Sequence, residues 1–312
     1  MRIYLAPLEG ITGYIYRNAY EKVYGHVDKY FAPFISPSEK CPMVPKDRKD
    51  LSPDNNKGIF LVPQILTCTS EYFIDAVKEL QDMGYSEVNL NLGCPSGTVC
   101  SKRKGAGFLL ETDKLDSFLE DIYTYGDNHG VSISLKTRLG YYNPDEFYDL
   151  LEIFNQYPVS ELIVHPRIRG DFYKGEPRLE YYAHALEHSK IPLVYNGNIF
   201  EKNDYDKICQ KLNTQMDTVM IGRGAISRPS LAQELTGNKA DFDYKRFWEL
   251  HDILYHEYQK VMAPDINVLY RMKELWTYWK SSFDDIDKPL KALLKAKKYA
   301  EYEGALRIIR GS

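Results

Sequence analysis

The run Asn89-Leu90-Asn91-Leu92-Gly93-Cys94-Pro95-Ser96 sets one cysteine between a glycine and a proline, directly after an alternating apolar stretch. Gly93 and Pro95 bracket Cys94 in a turn, which should hold the sulfur outward beyond the end of a strand. A thiol exposed there can serve as nucleophile or proton donor. A cysteine kept for packing alone would sit within an apolar run, as Cys209 does. The next stretch, Ser101-Lys102-Arg103-Lys104-Gly105-Ala106-Gly107, is basic and glycine-rich. It is expected to form a mobile loop over the site, able to approach a polyanion.

Two later turns have the chemistry of phosphate binding. Asn196-Gly197-Asn198-Ile199 and Gly222-Arg223-Gly224-Ala225 each follow a short apolar run. Glycines let backbone N–H groups approach phosphate oxygens, and Arg223 adds a charge. Either turn alone is ordinary; at consecutive strand ends the two together point to a phosphorylated cofactor. Lys136 and His165 also close apolar runs. A cation beside a flavin ring would stabilise the negative charge that develops on reduction. A buried Lys136 would in any case need an anion nearby, whereas His165 serves equally well as a cofactor contact or as a histidine satisfied by backbone.

These residues must be positioned by something, and the apolar runs show what. Eight β-rich segments recur: Ile3 to Ala6, Lys29 to Phe34, Ile59 to Val62, Glu87 to Asn91, Ser132 to Lys136, Glu161 to His165, Ile191 to Tyr195 and Thr218 to Ile221. Helical patterns lie between them. Tyr72 to Met83, for example, puts Phe73, Ala76, Val77 and Leu80 on one face. Strands alternating with helices indicate βαβ units and a parallel sheet, and eight such units fit a closed (β/α)8 TIM barrel of about 250 residues. Seven candidate strands end in Pro7, Gln64, Asn91, Lys136, His165, Asn196 and Gly222. Carboxyl ends of barrel strands are where such folds bind cofactor and substrate.

From about residue 240 only helical patterns remain: Phe247 to Val261, Val268 to Lys280 and Lys288 to Tyr302, punctuated by Pro264 and Pro289. The expected organisation is a barrel over residues 1–238 and a C-terminal all-helical domain over 239–312. On the last helix Lys288, Lys291, Lys295 and Lys298 would form one positive stripe, either a solvated face or a phosphate-facing one.

Composition bounds the partners. The 312 residues are 44% hydrophobic and 27% charged, enough for a large core. Lys+Arg 40 against Asp+Glu 44 gives a net charge of -4, which advertises no nucleic acid. The acid is unevenly placed. Residues 240–312 hold 13 of the Lys+Arg and 12 of the Asp+Glu, leaving residues 1–239 with 27 against 32. Five cysteines without a CxxC pair argue against a disulfide framework or a zinc site, and free thiols suit the cytoplasm. No apolar run approaches the roughly eighteen residues that span a bilayer, and Met-Arg-Ile-Tyr-Leu-Ala-Pro lacks a signal-peptide pattern. Most of the 26 tyrosines are expected to be amphipathic filler rather than stacking groups.

Leu5-Ala6-Pro7-Leu8-Glu9-Gly10, Asn89 to Ser96, Leu135-Lys136-Thr137-Arg138-Leu139-Gly140, Val164-His165-Pro166-Arg167 and the two glycine turns together resemble the tRNA-dihydrouridine synthases. The tail run Tyr270-Arg271-Met272-Lys273-Glu274-Leu275-Trp276-Thr277-Tyr278 resembles the bacterial DusC-like branch. The resemblance implies an FMN-bearing barrel, reduced by NADPH, that saturates the C5=C6 bond of a tRNA uridine. In that family the reduced flavin delivers hydride to C6, and the motif cysteine, here Cys94, protonates C5. It further implies that Pro7, Leu8 and Glu9 lie along the flavin and that Gln64, Lys136 and His165 contact its ring or ribityl chain. Asn196, Gly197, Asn198, Gly222 and Arg223 would hold ribityl and phosphate. Asn91, Arg138, Tyr173, Arg271, Lys273 and Tyr278 would face uracil or tRNA, with a monomer as the simplest assembly. Three departures stand out. Ala32-Pro33 replaces a common Thr-Glu pair, His-Pro-Arg replaces His-Gly-Arg, and Gly107 stands where many members have a second cysteine. The alternative is an FMN barrel dehydrogenase acting on a free pyrimidine or other small molecule, which would need no basic helical tail. An RNA-binding protein that has lost catalysis is a third reading, opposed by Cys94, Lys136 and the paired turns.

Overall fold

The structure is a computed structural model that describes residues 1–237 and 242–311. Among the described residues there are nine strands: β1 (Arg2–Leu5), β2 (Lys29–Phe31), β3 (Leu61–Val62), β4 (Gln64–Ile65), β5 (Glu87–Leu92), β6 (Ser132–Gly140), β7 (Leu162–Ile168), β8 (Leu193–Tyr195) and β9 (Thr218–Ile221). Their order is β3-β2-β1-β9-β8-β7-β6-β5-β4, and every pairing is parallel. β3 and β4 are one stave interrupted at Pro63, which has no N–H to give to the ladder. Its carbonyl still accepts from Asn89 N (2.9 Å), so the eight staves close into a TIM barrel.

Tyr4, Ala6, Phe31, Val62, Ile163, Val194 and Met220 fill the barrel interior. At the amino-terminal end, Lys29 reaches Glu87 (2.8 Å) and Glu161 (3.0 Å), and Tyr4 Oη donates to Glu161 (2.5 Å). One end is thus sealed by paired charges, which leaves the opposite end to form the mouth. The helix Ser70–Asp82 buries Phe73, Ala76, Val77 and Leu80 as its periodicity requires. Burying each of the larger of these side chains stabilises the fold by about 1.5–3 kcal/mol.

The tail packs onto the same hydrophobic core as the barrel. Its helices are Tyr244–Val261, Asp265–Trp279, Asp287–Lys295 and Tyr299–Gly311. Asp243 caps the first by accepting from Lys245 N at 2.8 Å. Phe247, Trp276, Trp279 and Phe283 meet largely edge to face, and Tyr302 Oη bonds His251 Nε2 (2.9 Å) and Trp276 Nε1 (3.0 Å). The expected boundary at 238/239 lies outside the described residues.

The single helix expected over Lys288 to Tyr302 is instead two. Ala296 leaves the helical region (φ −54°, ψ 137°), and Glu301 accepts from Lys297 N (2.7 Å) to start the next helix. The Lys273 ammonium also bonds the Ala296 carbonyl. Lys288, Lys291 and Lys295 remain exposed on one helix, and Lys298 falls outside it.

Candidate active site

The carboxyl ends of the strands enclose a cavity of about 350 Å³, and all seven strand-end residues singled out by phase line it: Pro7, Gln64, Asn91, Lys136, His165, Asn196 and Gly222. Two of them are not at strand ends. β6 runs on from Lys136 to Gly140 and β7 from His165 to Ile168, with an irregularity opposite Arg138–Gly140. These two strands stand above the mouth as a wall.

Cys94 is held by the strand beneath it. Asn91 Oδ1 accepts from Gly93 N (3.0 Å) and Cys94 N (2.9 Å), while Asn91 Nδ2 donates to Gln64 Oε1 (2.7 Å). Gln64 Nε2 donates to Asn89 Oδ1 (2.7 Å), and Asn89 Nδ2 donates to Ser134 Oγ (2.9 Å). The chain fixes Gln64 and Asn91 and leaves each amide one N–H for a ligand. Half-burial pushes the Cys94 thiol above its ordinary pKa, partly offset by the Ser96 backbone N–H. It is therefore a protonated thiol at neutral pH, suited to giving a proton rather than to attack.

The stretch after Cys94 is folded, contrary to the mobile loop expected. Gly97–Cys100 is a short helix and Gly105–Leu110 a buried 3-10 turn. A β-carbon at Gly105 would meet Cys94 Cβ at 2.9 Å, and one at Gly107 would meet the Cys100 carbonyl at 2.6 Å. The glycines are there for close packing under the thiol, while Lys102 and Arg103 stay exposed.

The opposite floor is cationic. Burial, reinforced by the Arg138 charge, lowers Lys136 to about 7, and its ammonium has no hydrogen-bond acceptor among the described residues. Burial and four neighbouring cations keep His165 well below its ordinary pKa. Arg167 Nη1 donates to His165 Nε2 (2.9 Å), so the imidazole proton sits on Nδ1. Arg167 Nη2 also donates to Asn198 Oδ1 (3.1 Å), which takes a second bond from Arg223 Nη2 (3.2 Å). Asn196 Nδ2 bonds the Met220 carbonyl in β9 (2.8 Å), while the Arg223–Asn198 bond ties the two glycine turns together. A β-carbon at Gly197 would meet Tyr195 Oη at 2.5 Å, and one at Gly224 the Ile199 carbonyl at 1.9 Å. Tyr195 Oη is itself buried without a partner among the described residues.

Pro7, Leu8 and Glu9 form the wall on the β1 side. Arg138, expected to face RNA, has its guanidinium on the carbonyls of Gly93 (2.9 Å), Ile168 (3.0 Å) and Phe172 (2.7 Å). It lines the cavity but principally staples the Cys94 turn to the loop after β7. Tyr173 is half-exposed on that loop. From the tail, Tyr278 reaches the cavity. Arg271 lies beside it against Gly10 (φ +79°) and pairs with Glu274 (2.6 Å). Lys273 is turned away to Ala296.

Phe200 had no place in the sequence reading, and Phe34 and Glu274 were quoted there without a role, yet all three line the cavity. Pro33, noted only as a departure, lines the wall as well. Arg167, just behind the cavity, was quoted but given no role; its two-residue offset from His165 on one strand face was the available signal.

A closed parallel barrel with a thiol acid facing a cationic floor and paired glycine turns defines a (β/α)8 protein with an anion-receptive mouth. Proteus mirabilis N-acetylneuraminate lyase shares the fold, with a TM-score of 0.50 at 10% identity, covering 99% of this chain and 97% of that one. A curated relative from Pseudomonas syringae pv. tomato, named tRNA-dihydrouridine(16) synthase, is 31% identical over 240 residues, 75% of this chain and 74% of its own. One from Pseudomonas putida with the same name is 27% identical over 262 residues, covering 81% and 79%. The dihydrouridine synthase (Dus) family profile matches residues 4–296, and the chain belongs to that family.

Proposed function

We propose that this protein is an FMN-dependent tRNA-dihydrouridine synthase that uses NADPH to saturate the C5=C6 bond of a D-loop uridine in tRNA. Position 16, carried in the relatives' names, is the favoured site. The observation that carries the reading is the pairing of a protonated Cys94 with an acceptor-less Lys136 across one cavity.

The residues fit FMN. Lys136 needs an anion, and the two turns offer backbone N–H groups, Arg223 and Asn198 to a phosphate. Gln64, Lys136 and His165 would meet the ring or ribityl chain, with Pro7, Leu8 and Glu9 along its other side. Bound FMN, reduced by NADPH, would supply the hydride that adds to C6. Cys94 gives the proton to C5, and Asn91, through its free N–H, orients the uracil. Arg138 keeps the thiol in place, and Lys136 would stabilise the negative charge that develops on the ring.

A base within a folded tRNA reaches such a mouth only by flipping out. Tyr278 and Glu274 enter the mouth from the tail, which favours a macromolecular substrate over a free pyrimidine. On this reading the barrel (1–238) is catalytic, the tail (239–312) grips RNA, and the protein works in the cytoplasm as a monomer. In the test, Cys94→Ala should keep its flavin absorbance yet lose about 10²–10⁴-fold in dihydrouridine formation. Undiminished activity would remove Cys94 from its role. Reduction of free uridine with tRNA left untouched would favour the small-molecule dehydrogenase.

A further inference from the structure

Beside the mouth, the loops after β6 and β7 carry an aromatic cluster that the proposed chemistry does not use. The Arg169 guanidinium lies between two rings, 5.3 Å from the centroid of Tyr141 and 5.3 Å from that of Phe172. Tyr142 packs edge-on to Tyr141 at 4.6 Å and is 74% exposed; Phe172 is 43% exposed. Two exposed rings, Tyr142 and Phe172, thus border a half-buried Tyr141 and Arg169, and contiguous apolar surface in water marks a binding site.

The cluster is also held in place at a cost. Phe172 has φ +51°, a conformation that side-chain-bearing residues rarely adopt. Arg138 maintains it by donating to the Phe172 carbonyl at 2.7 Å while holding the Gly93 carbonyl at 2.9 Å. Arg169 Nε likewise donates to the Pro95 carbonyl at 3.1 Å. Shelf and Cys94 turn are thus tied by two arginines on either side of the thiol. Strain retained at an exposed aromatic beside an active site indicates function.

We propose that Tyr141, Tyr142, Arg169 and Phe172 form a stacking shelf for the unpaired nucleobase next to the flipped uridine. The proposal rests on the tRNA reading above and specifies a contact within it. Flipping one nucleotide removes a stacking partner from its neighbour, and a flat cationic shelf replaces that partner regardless of base identity. The Arg169 charge would attract the connecting phosphate. Because the shelf is bonded to the residues flanking Cys94, a neighbour seated on it sets the depth at which the uracil meets the thiol.

Phe172→Ala tests this through tRNA affinity. Binding should weaken roughly ten-fold, given about 1–3 kcal/mol for each stacked base, and Phe172→Trp should restore it. A tRNA made abasic at the flanking nucleotide should bind the unaltered protein more weakly by a similar factor, with little further loss in Phe172→Ala. Unchanged tRNA affinity in Phe172→Ala, or losses that simply multiply, would overturn the shelf. So would a raised KM for NADPH with tRNA affinity unmoved, which would place the adenine of the reductant there instead. Failure of the unaltered protein to bind tRNA would overturn the parent reading, an outcome distinct from these.

Discussion

The barrel mouth and the helical tail present their functional groups in opposite ways. In the mouth, Gln64, Asn91 and Asn198 are each locked by two or more hydrogen bonds to residues of adjoining strands and turns. In the tail, groups of similar chemistry split their duties. Tyr278 faces the cavity, Arg271 is paired with Glu274, Lys273 bonds the Ala296 carbonyl, and Lys291 and Lys295 face solvent. A strand end permits only two directions for a side chain, so polarity at that position is nearly a statement of role. A helix surface offers every direction, so a cation there can serve a ligand, a cap or the solvent.

That contrast can be broken. The largest effect is expected at the turn pair. Gly224→Ala drives a β-carbon into the Ile199 carbonyl, which must move and carry Asn198 with it. Thermal unfolding should show a loss of about 1–3 kcal/mol, and the purified variant should be depleted of flavin. A yellow, fully stable variant would show that the turns do not form the phosphate cradle.

A medium effect is expected at Lys136. Its pKa of about 7 means that it is largely neutral above that pH. Binding an anionic group favours the charged form, so FMN binding takes up a proton and weakens as pH rises through about 7. Flavin fluorescence titrations across that range should show the slope, and Lys136→Met should flatten it. A pH-independent affinity in the unaltered protein would mean that Lys136 does not face the cofactor's charge.

The smallest effect belongs to the tail. Reversing Lys291 and Lys295 to Glu should weaken tRNA binding a few-fold and reduce its salt dependence, with little change in NADPH oxidation. An unchanged affinity would return the stripe to a solvated face.

The same contrast explains what was legible beforehand. Seven residues read as strand ends could be placed at one cavity because β periodicity and the parallel barrel direct them there, even though two of the strands run on past them. The extension of β6 and β7 past Lys136 and His165 was not legible, because Thr137, Arg138 and Arg167 read as loop chemistry until both strands are seen paired. Gly105 and Gly107 suggested mobility because close packing under Cys94 and Cys100 is a tertiary fact. The break at Ala296 was hidden because helix-favouring residues run through it, and the Lys273 bond that secures it comes from a helix more than twenty residues away. A net charge of -4 concealed the partner for a related reason: the acid is in the barrel, and residues 266–312 carry 10 Lys+Arg against 6 Asp+Glu.

The central claim is tested most directly by mapping dihydrouridine in total tRNA from a strain lacking this gene, with and without the gene restored. The account predicts that dihydrouridine disappears from one D-loop position, returns with the intact gene and does not return with Cys94→Ala. An unchanged dihydrouridine map in the deletion strain would contradict it.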